Sequence, residues 1–261
     1  MGNSLNIAAT GMAAQQTNVE VIANNIANLN TTAFKRQRAE FQDLMYQTKG
    51  VAVGSSSGDG VIPQGIQLGV GVKTGGVYRI HGQGAMIGTD NPLDIAVNGR
   101  GYFKAQMPNG DKGYTRSGSF QLSPTGQIVT TEGYPIDPGL SIPSDTKTIS
   151  ISDQGLVQVT RDGQVAPSDI GRITMSVFPN DAGLQSLGGN FYLETAASGA
   201  ATDGLPGDIG FGSVRQGFLE ASNVDMVAEI TTLIAAQRAY EMNSKVIQTS
   251  DEMLRTTTQM R

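Results

Sequence analysis

The stretch VIANNIANLNTTAFKR, residues 21–36, decides how the chain is read. It has the apolar spacing of a helix and yet holds four asparagines, a residue that prefers caps and turns. It also carries no charge until Lys35. Wound at 100° per residue, Leu5, Met12, Val19 and Ile26 recur every seven positions, and Ala8, Gln15, Ile22 and Leu29 form a second row. The opposite face holds Asn6, Thr10, Thr17, Asn24 and Asn28, and Glu20 is the one charge before Lys35. A solvated helix face normally carries Lys, Glu and Arg. Neutral amides and hydroxyls suit contact with other protein, where a charge would need a partner. Asn24, Asn25 and Asn28 are therefore expected in contact with other protein, and a turn near Asn28 to Thr32 is the alternative for Asn30 and Asn28 but not for Asn24 and Asn25.

The other end of the chain is complementary. Met226, Leu233, Tyr240, Ile247 and Leu254 recur every seven residues, and Ile230, Ile234 and Val246 widen the stripe. Ser222 and Asp225 have capping-box spacing, and no Gly or Pro follows Gly217. The pattern predicts a helix of about thirty residues. Burying one stripe of each of two lone helices recovers less than ordering their backbones costs, so the ends are expected to be completed by assembly. Docking of both helices on the middle of the chain is the alternative.

Between these ends lie all 10 prolines and all 34 glycines except Gly2 and Gly11. Gly and Pro punctuate turns and avoid helix interiors, so the middle reads as β-rich. GYFKAQM (101–107) and GYTRSGSFQL (113–122) flank PNGD (108–111), a hairpin signal. QIVT (127–130), LVQVT (156–160), GRITMSVF (171–178) and NFYLET (190–195) read as further strands. The fold class expected is α+β: paired, coiled-coil-like terminal helices around a central antiparallel body. The divisions are 1–34 with 222–261 for the helices, 35–93 with 206–221 as connecting segments, and 94–205 for the β-rich domain. Tyr46 to about Gly76 is Gly/Ser-rich and reads as a loop, part of which, VIPQGIQLGVGV, alternates like a strand.

Composition excludes several classes. The 261 residues carry a net charge of −5, unlike a general nucleic-acid or anionic-membrane binder. There is no cysteine, hence no disulfide framework or zinc-thiolate site. No apolar run is long enough to span a bilayer, and the first residues lack a secretory leader's basic and apolar regions. His81 is the only histidine, read as a surface or loop residue. GVGVKTGG (69–76) lacks phosphate-loop spacing, and DNPLD (90–94) and SDQG (152–155) are explained by turns. Arg100, Arg116 and Arg172 stand apart in sequence and read as solvated or ion-paired. No cofactor, metal or catalytic residue is expected.

The segments ANNIANLNTTAFKRQRAEF (23–41) and ASNVDMVAEITTLIAAQRAYEMNSKVIQTSDEML (221–254) resemble the N- and C-terminal signatures of bacterial flagellar rod and hook proteins. DLMYQT (43–48), PQGIQLGVGV (63–72) and residues 101–136 are similar to its distal-rod members. The resemblance implies a non-enzymatic axial subunit. Its terminal helices would pair and pack against those of neighbouring copies around a central channel, leaving the β-rich body outside. It implies a straight shaft across the periplasm that passes torque to the hook. The partners it implies are further copies of the chain, proximal rod and hook proteins, ring proteins of the peptidoglycan layer and outer membrane, and the type III export apparatus. It implies no nucleic acid and no membrane insertion. The distal-rod members carry a bracing loop after the first helix, matching Tyr46, Val61, Ile62, Pro63, Ile66 and Leu68 here. The family usually has Gly before its Phe-Lys pair; Ala33 in that place argues against a left-handed turn. A proximal-rod or hook subunit, and a secreted β-rich binding module, are the competing readings.

Overall fold

The structure, a computed structural model, describes residues 2–50, 66–163 and 166–259. The chain divides into two compact units. One comprises Met1–Ala27, Gln37–Arg79 and Asp225–Arg261, and the other Asn28–Arg36 and Ile80–Val224.

In the first unit, helix α1 (Gly2–Ala27) packs on helix α2 (Met226–Gln259). The face α1 buries is built mainly from small side chains: Ala8 and Ala14, then Val21 and Ile22, with Ala236 and Ser250 buried on α2. At Gly11 the helices come so near that a Cβ would lie 2.9 Å from the Asn243 amide nitrogen. Small residues set this spacing, because interaxial distance follows the side chains at the contact. The larger stripe residues Leu5, Met12, Val19 and Ile26 are only half-buried.

The same unit holds an antiparallel arm. Gln37–Asp43 pairs with Val72–Arg79, from Gln37 opposite Arg79 to Asp43 opposite Val72, with a slip between Glu40 and Phe41. Tyr46–Gly50 pairs with Ile66–Gly69. The loop expected from Tyr46 to Gly76 is thus stranded at both flanks, and the alternating residues after 65 find their partner within the chain. Asn25 fastens helix to arm. Its Nδ2 donates to the Gln37 carbonyl at 2.9 Å, and its Oδ1 accepts the Gln37 N–H at 2.8 Å. An amide presents donor and acceptor side by side, so it caps a strand end as a neighbouring strand would. Nδ2 also reaches Glu229 Oε2 at 3.3 Å.

The expected capping box is corrected. Asp225, not Ser222, caps α2: its Oδ1 accepts the N–H groups of Val227 at 2.9 Å and Ala228 at 3.3 Å. Ser222 lies outside the helix in a segment of no regular secondary structure, where the next residue, Asn223, pins the backbone. Asn223 Oδ1 accepts the Arg36 N–H, and its Nδ2 donates to the carbonyls of Ile80 and Gly82.

The second unit is the β-rich body. Its six-stranded antiparallel sheet runs Gln185–Gly188, Phe191–Leu193, Lys112–Thr115, Tyr102–Gln106, Met175–Val177, Thr202–Gly204. The expected hairpin at PNGD joins Tyr102–Gln106 to Lys112–Thr115, with Gly110 at φ +84. A three-stranded sheet is made by Thr146–Ile151, Leu156–Arg161 and Ser168–Arg172. GRITMSVF, expected as one strand, serves both sheets. It breaks at Ile173, whose N–H turns to the Gly155 carbonyl at 2.8 Å. Ile173 and Met175 are both buried, and the switch keeps both in the core with Phe103, Phe120 and Val157. A second cluster stacks Tyr102, Tyr114, Phe178 and Tyr192, with Tyr114 and Phe178 edge to face at 4.8 Å.

Ala33 overturns its own expectation. Its φ is +58, so the left-handed turn exists without glycine. Its N–H donates to the Glu220 carbonyl at 2.8 Å, and it is 1% exposed. A Cβ in this region costs about 1–2 kcal/mol, whereas glycine loses about 0.5–1 kcal/mol in chain entropy and about 0.8 kcal/mol for the buried methyl. Ala33→Gly is therefore expected to shift stability by less than about 1 kcal/mol. Ala33→Val adds a branched side chain to a forbidden conformation in a filled site and should cost about 2–4 kcal/mol. Urea unfolding of the two variants measures this asymmetry; equal costs would contradict the turn.

Candidate assembly surface

Because small residues meet between α1 and α2, large ones are left outside. Met226, Ile230, Ile234, Tyr240, Met242 and Val246 of α2 are all exposed, Met242 to 68%. Single exposed apolar residues are ordinary; a helix that displays this many presents a surface for other protein. Of the residues singled out from sequence, Met226, Ile230, Tyr240, Leu254 and Asn24 are exposed. Leu5, Met12, Val19, Ile26, Asn28, Leu29, Leu233 and Ile247 are half-buried. Ile22 and Asn25 are buried, and the Asn25 amide is committed to Gln37 and Glu229. Its role is thus an internal brace, which the neutral-face argument did not anticipate. On the arm, Tyr46 and Leu68 are exposed and Ile66 opens its strand. Val61, Ile62 and Pro63 lie outside the described residues. Met242 was missed by the sevenfold spacing because it falls on another side of α2 from Tyr240.

A buried ionic cluster in the body fixes the segments adjoining the points where the chain passes from one unit to the other. Lys35 Nζ lies 2.6 Å from Glu220 Oε1, both side chains fully buried, and also donates to the Gly82 carbonyl at 2.8 Å. Arg116 Nε donates to Glu220 Oε2 at 2.8 Å, and its Nη2 to the Gly99 carbonyl at 2.9 Å. The Gly84 N–H completes the set on Glu220 Oε1 at 2.8 Å. A Cβ on Gly84 would fall on the Ala221 carbonyl, so only glycine lets these two segments approach. Neither Lys35 nor Glu220 was singled out from sequence. The one available signal was a lone charge inside the apolar run GFLEA.

Burial works against both charges. It pulls the Lys35 ammonium down, against the opposing effect of Glu220. For Glu220, burial would raise the carboxyl, but Arg116 and Lys35 outweigh it and hold the group below the usual carboxylate range. A carboxyl depressed by folding adds stability that is present above its unfolded value, near 4.5, and is lost as pH falls through the lower folded value. Glu220→Gln removes that acid-side dependence and leaves two buried cations uncompensated, at a cost of about 3–5 kcal/mol at neutral pH. Urea midpoints measured from pH 7 to pH 3 test both parts. An unchanged acid limb in the variant would contradict the assignment.

The body also has a cleft of about 400 Å³ lined by Asn30, Thr31, Thr32, Thr115, Ser117, Ser119, Thr130, Thr131, Glu132, Gly189, Asn190 and Phe191. Among the described residues this lining offers hydroxyls, amides and one carboxylate, with no base poised on a nucleophile. His81, in a loop as expected, shares a 2.9 Å hydrogen bond between its Nδ1 and the Tyr102 hydroxyl. Among the described residues, no group of three His, Cys, Asp or Glu side chains is placed to hold a metal. Arg116, which stands alone in sequence, is ion-paired.

Residues 5–35 match the family described as flagella basal body rod protein. Residues 96–159 match the flagellar hook protein FlgE/F/G D1 domain, and residues 215–260 the flagellar basal body rod FlgEFG protein C-terminal. The chain is 57% identical to the flagellar basal-body rod protein FlgG of Caulobacter vibrioides, over 99% of each chain. It is 50% identical to the FlgG of Agrobacterium fabrum, over 96% of each. Against the flagellar basal-body rod protein FlgF of Caulobacter vibrioides the identity is 36%, over 98% of this chain and 96% of the other. A paired-helix unit with an uncovered apolar surface, joined to a β-rich body, is thus the form that a member of the flagellar basal-body rod protein family takes here.

Proposed function

We propose that this chain is a non-enzymatic structural subunit of the flagellar distal rod, polymerising into a straight hollow shaft. The observation that carries the reading is full-length similarity to FlgG, stronger than that to FlgF of the same organism. The apolar face of α2 supports it, since such a face needs a partner. In this reading the helices at 1–34 and 222–261 line the shaft in coiled-coil-like contact with neighbouring copies. Segments 35–93 and 206–221 connect them to an outer body at 94–205. The shaft crosses the periplasm, carries torque to the hook and encloses the export channel. Its subunits leave through the type III apparatus. They meet proximal rod and hook proteins at their ends, and ring proteins of the peptidoglycan layer and outer membrane along their sides. The arm residues Tyr46 and Leu68 brace adjacent copies, together with the segment between their strands.

Amide hydrogen exchange on the soluble monomer tests the division of labour. Residues 1–30 and 225–261 should exchange within seconds while 94–205 stays protected, and the ends should slow on polymerisation. Ends as protected as the body in the monomer would oppose the reading. Deleting residues 46–63 should give rods that bend; straight rods after deletion would remove the bracing role.

A further inference from the structure

The paired helices have two unlike flanks. On one, a groove of about 360 Å³ is lined by Gln16, Val19 and Glu20 of α1 and Gln237, Tyr240 and Glu241 of α2. Val19 and Tyr240 give it an apolar floor, and Glu20 and Glu241 stand at its rim. Glu20 is held in place by the Gln16 amide, 3.2 Å from Oε1. The other flank of α2 is a ridge. Arg238, Met242 and Val246 follow at four-residue spacing, and Lys245 lies beside them. At about 100° per residue, Val246 stands about 120° around the helix from Tyr240. Met242 and Val246 are 68% and 44% exposed. Arg238, Glu241 and Lys245 make no ion pair among the described residues, although Glu241 and Lys245 are spaced for one.

We propose that the groove of one copy receives the ridge of a second copy. Met242 and Val246 would pack on Val19 and Tyr240, and Lys245 and Arg238 would face Glu20 and Glu241. The inference rests on the reading that the chain polymerises, and adds which surfaces meet. Acidic rim and basic ridge are complementary, and both border apolar surface of matching kind. Groove and ridge are different surfaces, so the contact is heterologous: of two joined copies, one keeps its ridge free and the other its groove. Such a contact repeats along a helical array, whereas a self-complementary patch closes as a dimer. Like charges on the two surfaces would oppose the same contact, which makes it selective for one orientation.

The test uses the purified full-length chain, polymer being measured by sedimentation. Glu20→Lys and Lys245→Glu should each raise the concentration needed for polymer about tenfold, and the double variant should recover most of that loss. Circular dichroism of the three variants should match the parent. Because the chain has no cysteine, Tyr240→Cys and Val246→Cys proteins can be mixed and oxidised. Covalent dimers should form in the mixture and not from either protein alone. Dimers from Val246→Cys alone, no dimers at all, or a double variant no better than the singles would each overturn the proposal. A parent chain that forms no polymer would instead overturn the rod reading on which it stands.

Discussion

Most of the body's entry geometry depends on one carboxylate. Glu220 draws Lys35, Gly84 and Arg116, from three remote parts of the chain, onto its two oxygens. A buried ion cluster adds little net stability compared with apolar side chains of the same volume. Its effect is on arrangement, because only one placement of these segments leaves every charge satisfied. The strain at Ala33 follows from it. Ala33, Phe34 and Lys35 are buried in succession in a turn that no strand ladder covers. The left-handed residue rotates the chain so that the Ala33 N–H meets the Glu220 carbonyl while Lys35 still turns inward. Backbone strain and ionic pairing are two halves of one constraint.

The broad architecture was legible in the sequence because glycine and proline mark it. Helices fill the breaker-poor ends, and the hairpin at PNGD appears where its turn residues stand. What was not legible depends on contacts remote in sequence. The strand switch at Ile173 needs two sheets whose positions no local pattern encodes. The Glu220 cluster joins residues far apart in sequence, of which Arg116 alone was read, as solvated or ion-paired. Asn25 was noticed as out of place, but its purpose required knowing that Gln37 begins a strand beside it. Ala33 was taken as evidence against a turn by propensity alone, and the surrounding hydrogen bonds overrode that preference.

The helix stripes were half legible, for a physical reason. Periodicity reports that an apolar face is covered, not what covers it. The natural assumption is that the largest residues on one helix meet the largest on the other. Here Ala8, Gly11 and Ala14 of α1 and Ala236 of α2 lie at or near the intrachain contact, while Tyr240 and Met242 remain outside. In a chain that polymerises as proposed above, that division leaves apolar surface for the contact between copies. A pair that buried its bulkiest residues internally would close as a stable monomer with little left to drive association. A pair held by small residues commits less apolar area within the chain and keeps more for its neighbours. Low charge on α1 completes the logic, because any charge on a surface that meets its own copy must find its opposite on that same chain. Glu20 is the one charge along α1, and in the contact proposed above Arg238 and Lys245 of another copy answer it.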